Sequence, residues 1–264
     1  MAAPPEGTPC WADAVFTDVE GAKSFYGDVL GWTFAEAPGG FGGCAEARAD
    51  GRAAAAVVPP APGQEGAAQW CLYFAAADAA ATAARIREHG GELLMGPTRI
   101  GGLGTMCTAR DPGGVVFGLW QAGAHEGFGA TAGPGAYRWA EVLTREPEKS
   151  DAFFPAVFAY RSERLGDGTD FRVYGLGERG VLGRLRMTDA FPPGTPPYVN
   201  VYFTVADCDE AVTRATDRGG VLRFGPTDTP SGRFAALSDP QGANFSVSDV
   251  AGAAGEPPPA ADGE

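Results

Sequence analysis

Trp11-Ala12-Asp13-Ala14-Val15-Phe16-Thr17-Asp18 returns 128 positions later as Trp139-Ala140-Glu141-Val142-Leu143-Thr144-Arg145-Glu146. Further pairs keep that offset within one residue: Phe25-Tyr26 with Phe153-Phe154, Asp78 with Asp207, Gly90-Gly91 with Gly219-Gly220, and Gly96-Pro97 with Gly225-Pro226. Asp111-Pro112-Gly113-Gly114 likewise pairs with Asp239-Pro240-Gln241-Gly242. Registered matches in this number do not arise by chance. The chain is a duplication of one unit, and that repeat governs how every shorter element is read.

Each unit is itself doubled. An alternating run at 11–17, Asp18 as a helix N-cap, a helical stretch at 19–30 and a stop at Gly31 are echoed by 70–77, Asp78, 79–89 and Gly90. Three short β-prone runs separated by Gly or Pro follow each helix, for example 92–95, 103–109 and 115–120. A βαβββ module used four times results. Domains are expected at 8–122 and 136–250, joined by a small-residue run at 123–135 that suits a flexible linker. The tail at 251–264, with Pro257-Pro258-Pro259 among alanines, glycines and acids, has too little apolar surface to fold and is expected to be disordered.

Composition bounds the function. The 264 residues suffice for about two domains with their own cores. Twenty Lys+Arg against 33 Asp+Glu give a net charge of −13, which repels phosphate backbones and anionic bilayers, so neither nucleic acid nor membrane is an expected partner. No apolar run approaches the roughly 20 residues of a membrane helix. The start Met1-Ala2-Ala3-Pro4-Pro5-Glu6 carries no secretory pattern, so a cytoplasmic location is expected. Five scattered cysteines without CxxC spacing (Cys10, Cys44, Cys71, Cys107, Cys208) read as reduced thiols rather than a disulfide framework or zinc site. Only two histidines are present, His89 and His125, and most metal sites use histidine.

A longer-range likeness rests on Asp18, the run Phe25-Tyr26-x3-Leu30-Gly31-Trp32, the helix end His89-Gly90-Gly91, Gly104 and Asp111-Pro112-Gly113-Gly114 in the first half. Phe153-Phe154-x3-Phe158-Ala159-Tyr160, Arg218-Gly219-Gly220, Gly232-Arg233 and Asp239-Pro240-Gln241-Gly242 carry it in the second. In this order they resemble the vicinal oxygen chelate superfamily, which includes glyoxalase I, bleomycin-resistance proteins, fosfomycin-resistance enzymes and extradiol dioxygenases. The pattern closely matches the tandem two-domain glyoxalase-like proteins of actinobacteria. The resemblance implies an α+β fold: tandem domains built from four βαβββ modules, with mixed sheets curled around a cup and helices outside.

Metal-dependent members of that family take ligands from three inward strand positions, leaving the cation open to a bidentate substrate. Carried onto this chain, those positions are Trp11, Cys71 and Gly118 in the first half and Trp139, Asn200 and Ser246 in the second. None is His or Glu, so no metal and no cofactor are expected. Strand alternation places Trp11, Asp13, Cys71, Tyr73 and Trp120 in the first cup and Trp139, Glu141, Asn200, Tyr202, Asn244 and Ser246 in the second. Aromatic walls with few polar groups suit a planar, drug-like molecule.

Asp13 and Glu141, beside indole rings, are candidate general acids or bases, or else hold strand ends by hydrogen bonds. Trp11, Tyr73, Trp120, Trp139, Asn200, Tyr202, Asn244 and Ser246 are candidate ligand contacts, with packing as the other reading; Cys71, without a histidine partner, reads as inert. The expected function is metal-independent binding of a hydrophobic or aromatic small molecule, of the antibiotic-resistance or secondary-metabolite kind. The alternative is a metal-independent lyase, isomerase or cyclase using a cup carboxylate. A cup filled by its own side chains would mark a structural role, and metal-dependent glyoxalase or dioxygenase chemistry is the remaining reading. A monomer is expected because the two halves are already covalently paired, a homodimer being the other arrangement, and the more polar second cup is the favoured site.

Overall fold

The structure is a computed structural model, and the residues it describes are 4–37, 43–61, 68–166 and 168–249. The tail at 251–264 lies outside them. The first half runs β1 (Pro9–Val15), α1 (Val19–Leu30), β2 (Thr33–Glu36), β3 (Ala45–Ala49), β4 (Arg52–Val58), β5 (Gln69–Ala75), α2 (Ala79–Glu88), β6 (Glu92–Ile100), β7 (Gly104–Arg110) and β8 (Val116–Ala122). The second repeats it as β9 (Tyr137–Thr144), α3 (Pro147–Phe158), β10 (Arg161–Arg164), β11 (Phe171–Leu176), β12 (Arg179–Arg186), β13 (Tyr198–Thr204), α4 (Cys208–Asp217), β14 (Val221–Thr229), β15 (Gly232–Ser238) and β16 (Asn244–Ser248). Two eight-stranded mixed sheets result, ordered β2-β3-β4-β1-β5-β8-β7-β6 and β10-β11-β12-β9-β13-β16-β15-β14. Four βαβββ modules in an α+β fold are what the doubled repeat implied.

Local signals account for the boundaries. The Asp18 side chain accepts from the Gly21 amide at the start of α1, and Gly31 ends that helix at a φ of 71°, where a side chain would be strained. Asp78 and Asp207 cap α2 and α4 in the same way. One expectation is exceeded: the run at 92–95 continues through Gly96-Pro97 to Ile100. β6 is an edge strand, so a missing amide at Pro97 breaks only one ladder, and the register shifts between Met95 and Thr98 absorb it.

The two sheets share one core. Ala12, Ala14, Phe16, Trp70, Leu72 and Phe74 bury one face of the first sheet, and Val201, Phe203, Phe245 and Val247 bury its counterpart. Across the junction Trp70 meets Phe203 with centroids 5.2 Å apart, and Tyr26 meets Phe245 at 5.3 Å. Helices interlock reciprocally: α1 packs on α4 and α3 on α2. Gly220 leaves room for the Phe25 ring and Gly91 for Phe153, where an added Cβ would approach to 3.1 and 2.8 Å. The Tyr26 hydroxyl donates to Asp239 at 2.8 Å, closing the seam with a polar contact. Each fully buried aromatic contributes about 1.5–3 kcal/mol.

The connection at 123–135 is bonded along its length. Phe128 N donates to Cys10 O, Gly129 N and Ala130 N both donate to Ala53 O, and Gly135 N donates to Thr204 O. Gly127 passes so close to β1 that a Cβ there would lie 2.2 Å from the Cys10 carbonyl oxygen, at a φ of +104°.

Candidate ligand-binding cups

The concave face of each sheet is built by strand pairing. β1 runs antiparallel to β5 with Trp11 opposite Tyr73 and Asp13 opposite Cys71, and β5 runs parallel to β8 with Tyr73 opposite Gly118 and Ala75 opposite Trp120. Paired residues share a face, so Trp11, Asp13, Cys71, Tyr73 and Trp120 gather on one side while Ala12, Ala14 and Phe16 go to the core. In the second half Trp139 faces Tyr202, Glu141 faces Asn200 and Tyr202 faces Ser246.

Each cup holds a carboxylate–tyrosine pair. The Tyr73 hydroxyl donates to Asp13 Oδ2 at 3.0 Å, with the Met106 sulfur 3.4 Å away. The Tyr202 hydroxyl donates to Glu141 Oε2 at 2.9 Å. Enclosure by the sheet raises Asp13 to about 7, against the pull of the Tyr73 hydrogen bond. Glu141 rises to about 7 for the same reason, opposed by hydrogen bonds from Tyr202 and Trp139. Both phenols are pushed well above the usual tyrosine range, first by burial and then by the neighbouring carboxylate. Near neutrality each pair therefore offers a carboxyl poised to gain or lose a proton beside a phenol that keeps its own. Burial and Asp13 likewise push the Cys71 thiol up, which keeps it protonated and a poor nucleophile.

The surroundings differ. A Cβ on Gly118 would meet the Tyr73 ring at 2.1 Å, so that ring lies directly on β8. Ser246 stands at the matching place under Tyr202 and accepts from Asn200 Nδ2 at 2.8 Å. Asn244 lies toward the rim, accepting from Ser238, whose oxygen in turn accepts from Arg223 Nε. The matching residue to Trp120 is Ser248, and to Met106, Phe234, whose ring is 5.8 Å from Tyr202. Gly183 of β12 brings Glu141 and the Phe171 ring together, each 2.8 Å from where its Cβ would be. Tyr198 also feels the carboxylate: burial, then the Glu141 charge, raise it to about 12.

Cover is the larger difference. His125 sits edge-on to Trp11 at 4.4 Å and to Trp120 at 5.6 Å, and Phe128 lies 5.7 Å from Trp11. Trp120 Nε1 donates to the His125 carbonyl at 2.8 Å. Trp11, Tyr73 and Trp120 are thereby buried under the connection, in an apolar cluster with Ala56, Ala75 and Met106. Among the described residues no ring packs on Trp139, which stays partly exposed, whereas the two carboxylates, Asp13 and Glu141, are alike in being partly exposed. Neither of two shallow surface depressions, one beside α1 and the Asp239-Pro240-Gln241 turn and one at the β6–β7 turn, coincides with a cup.

Several lining residues escaped the sequence reading. His125 and Phe128 lie in what reads as linker, and nothing local signals that they fold back over Trp11. Glu46, buried beside Arg48 at 2.7 Å, was visible in principle: in Ala45-Glu46-Ala47-Arg48-Ala49 it alternates with buried alanines. Phe171 and Phe234 of the second cup sit on strands whose faces were not assigned, while Tyr198 follows from the alternation that put Asn200 and Tyr202 in the cup.

The metal-ligand positions carried over from the family hold Trp11, Cys71, Gly118, Trp139, Asn200 and Ser246. Indole, glycine, serine and amide side chains do not form the imidazole and carboxylate set such a cation requires, and the one thiol is held protonated. Among the described residues no group of three or more His, Cys, Asp or Glu is placed to hold a metal ion. No helix among them is long and apolar enough to cross a membrane.

Comparison with known proteins agrees with this architecture. The Glyoxalase/Bleomycin resistance protein/Dioxygenase superfamily model matches residues 11–119. A putative glyoxylase of Mycobacterium tuberculosis, CFP32, is 39% identical over 249 residues, covering 92% of this chain and 94% of its own. The anthracycline biosynthesis protein DnrV of Streptomyces peucetius is 36% identical over 261 residues, covering 92% and 94%. Among solved structures, the 2,3-dioxygenase LapB from Pseudomonas sp. KL28 superposes with a TM-score of 0.67 at 13% identity, covering 99% of this chain and 97% of that one. The Mn(II)-bound glyoxalase from Novosphingobium aromaticivorans gives 0.65 at 18%, covering 93% and 82%. These last two likenesses are of fold. The repeat, the four βαβββ modules and the relatives that span nearly the whole chain agree: the protein belongs to the glyoxalase/bleomycin resistance protein/dioxygenase superfamily and carries its fold twice in tandem.

Proposed function

We propose that the second cup binds a hydrophobic or aromatic small molecule, of the antibiotic or secondary-metabolite kind, without a bound metal ion. One observation carries the reading: a Glu141–Tyr202 pair set among Trp139, Phe171, Tyr198 and Phe234, with the indole left partly exposed. Apolar rings supply contact area and the few polar groups at the floor fix orientation. The likeness to a protein named for anthracycline biosynthesis favours a polycyclic aromatic ligand. The reading includes a cytoplasmic monomer with no cofactor. Native mass spectrometry of protein purified from its own host tests it: a co-purified organic ligand lost in Trp139→Ala is the expected result, and stoichiometric Ni, Zn, Fe or Mn on elemental analysis would overturn the metal-free reading.

A second reading has its own support. A carboxyl near 7 touching a phenol is the arrangement a general acid or base needs at neutral pH, which favours proton transfer in a lyase, isomerase or cyclase. Once a ligand is identified, Glu141→Gln separates the two. Turnover lost with affinity kept means catalysis, whereas no product from either protein means binding alone.

A further inference from the structure

We propose that the second cup selects ligands carrying a protonated amine on an aromatic or apolar body, with Glu141 as counter-ion and Trp139, Phe171 and Tyr202 as the surrounding wall. The inference rests on the cup being a small-molecule site and adds the charge of what enters it.

The support is an accounting of enclosed carboxylates. Glu46 pairs with Arg48 at 2.7 Å, and Asp151 with Arg184 at 2.8 Å. Asp111 accepts from Ser150 and the Val115 amide, while Asp239 accepts from Tyr26 and the Gln241 and Ala243 amides. Among the described residues Glu141 has the Tyr202 hydroxyl and the Trp139 indole and no ion pair, a lack shared by Asp13 of the covered first cup, which has only the Tyr73 hydroxyl. All 20 Lys and Arg of the chain lie among the described residues, and none of them forms an ion pair with Glu141. A desolvated carboxylate without a cation is costly, and a ligand ammonium would relieve that cost while facing the π-faces around it.

The first cup is closed to such a ligand: His125 fills the space beside Trp11, the counterpart of Trp139, and burial lowers its pKa and so favours the neutral imidazole. The net charge of −13 also draws cations toward the molecule and raises their encounter rate.

The groups facing Glu141 are Tyr202 and Tyr198 from β13, Trp139 from its own strand, Gly183 from β12 and Phe171 from β11, with Arg223 of β14 acting on Tyr198. The carboxyl is the one of these that titrates near neutral pH. Amine binding should therefore strengthen as pH rises through about 7.

Calorimetry of the full chain with naphthylmethylamine and its uncharged isostere naphthylmethanol tests this. The amine is expected to bind about tenfold more tightly than the alcohol near pH 8, and less tightly near pH 6. Glu141→Gln should equalise the probes while keeping alcohol affinity, and Asp13→Asn should leave the preference unchanged. Equal affinities in the unaltered protein would overturn the charge inference while leaving the site intact; binding of neither probe would overturn both. A preference that survives Glu141→Gln would place the amine elsewhere and also defeat it. Circular dichroism checks that the Gln variant folds, and Glu141→Asp, which retracts the charge by one methylene, provides the second variant: it should weaken the amine alone.

Discussion

The two cups descend from one repeat and keep the same carboxylate–tyrosine contact, 3.0 Å in the first and 2.9 Å in the second, yet only the first is covered by the chain that follows it. Around the matched pairs the linings diverge: Cys71 against Asn200, Gly118 against Ser246, Trp120 against Ser248. The first has turned apolar and takes His125 and Phe128 from the connection; the second has turned polar at its floor and leaves Trp139 partly open. A duplicated fold can thus close one cup with its own chain and leave the matching one uncovered.

The largest effects are expected at the two carboxyls. Each holds its proton up to about pH 7 when folded but releases it near 4 when unfolded, so the native state binds more protons between those values and stability falls as pH rises through that window. The loss is about 4 kcal/mol for Asp13 and about 3 kcal/mol for Glu141, so Asp13→Asn and Glu141→Gln should each stabilise the protein near pH 8 and flatten the pH dependence in urea denaturation. The two gains should add, because the sites share no contact. A gain in one variant alone would show that the cups are not electrostatically alike.

Gly127→Ala attacks the cover. A Cβ 2.2 Å from a backbone oxygen at a positive φ should cost about 3 kcal/mol and release the connection from β1, read as faster amide exchange at Phe128, Gly129 and Ala130. The second cup should keep its ligand affinity. Ser246→Gly makes the second floor like the first. Asn200 loses its partner, a cost of about 2 kcal/mol read in urea denaturation, while Tyr202 should keep its contact with Glu141, as Tyr73 over Gly118 keeps its contact with Asp13.

A smaller effect comes from Tyr137, whose hydroxyl is buried without a partner among the described residues while its ring stacks on Phe128 at 4.7 Å. Tyr137→Phe should raise stability by about 1 kcal/mol in thermal denaturation. The least costly change is Phe224→Ser. That side chain is 58% exposed and its ring lies 5.8 Å from that of Phe234, so stability should stay within about 0.5 kcal/mol while affinity for an aromatic probe falls a few-fold.

Much of this was written in local pattern. α1 is bounded by Asp18 and Gly31 as its cap signals require, and Trp11 and Asp13 share a face, as do Cys71 and Tyr73, because alternation along a strand allows nothing else. The partnership of Asp13 with Tyr73 was less visible, since it depends on the antiparallel register of β1 and β5 across 60 positions. Invisible altogether was the destination of His125 and Phe128. Glycine-rich sequence specifies freedom, and only the apolar surface of Trp11, Trp120 and Tyr137 decides where that freedom ends.

The duplication, the four modules and the chemical identity of each cup position are legible along the chain, because repeats, caps and alternation act over a few residues at a time. Which cup stays open, that the two sheets share one core, and how far each carboxyl is raised were decided only by tertiary structure. Desolvation and cover depend on surfaces brought together from distant parts of the chain, and no local pattern carries that sum.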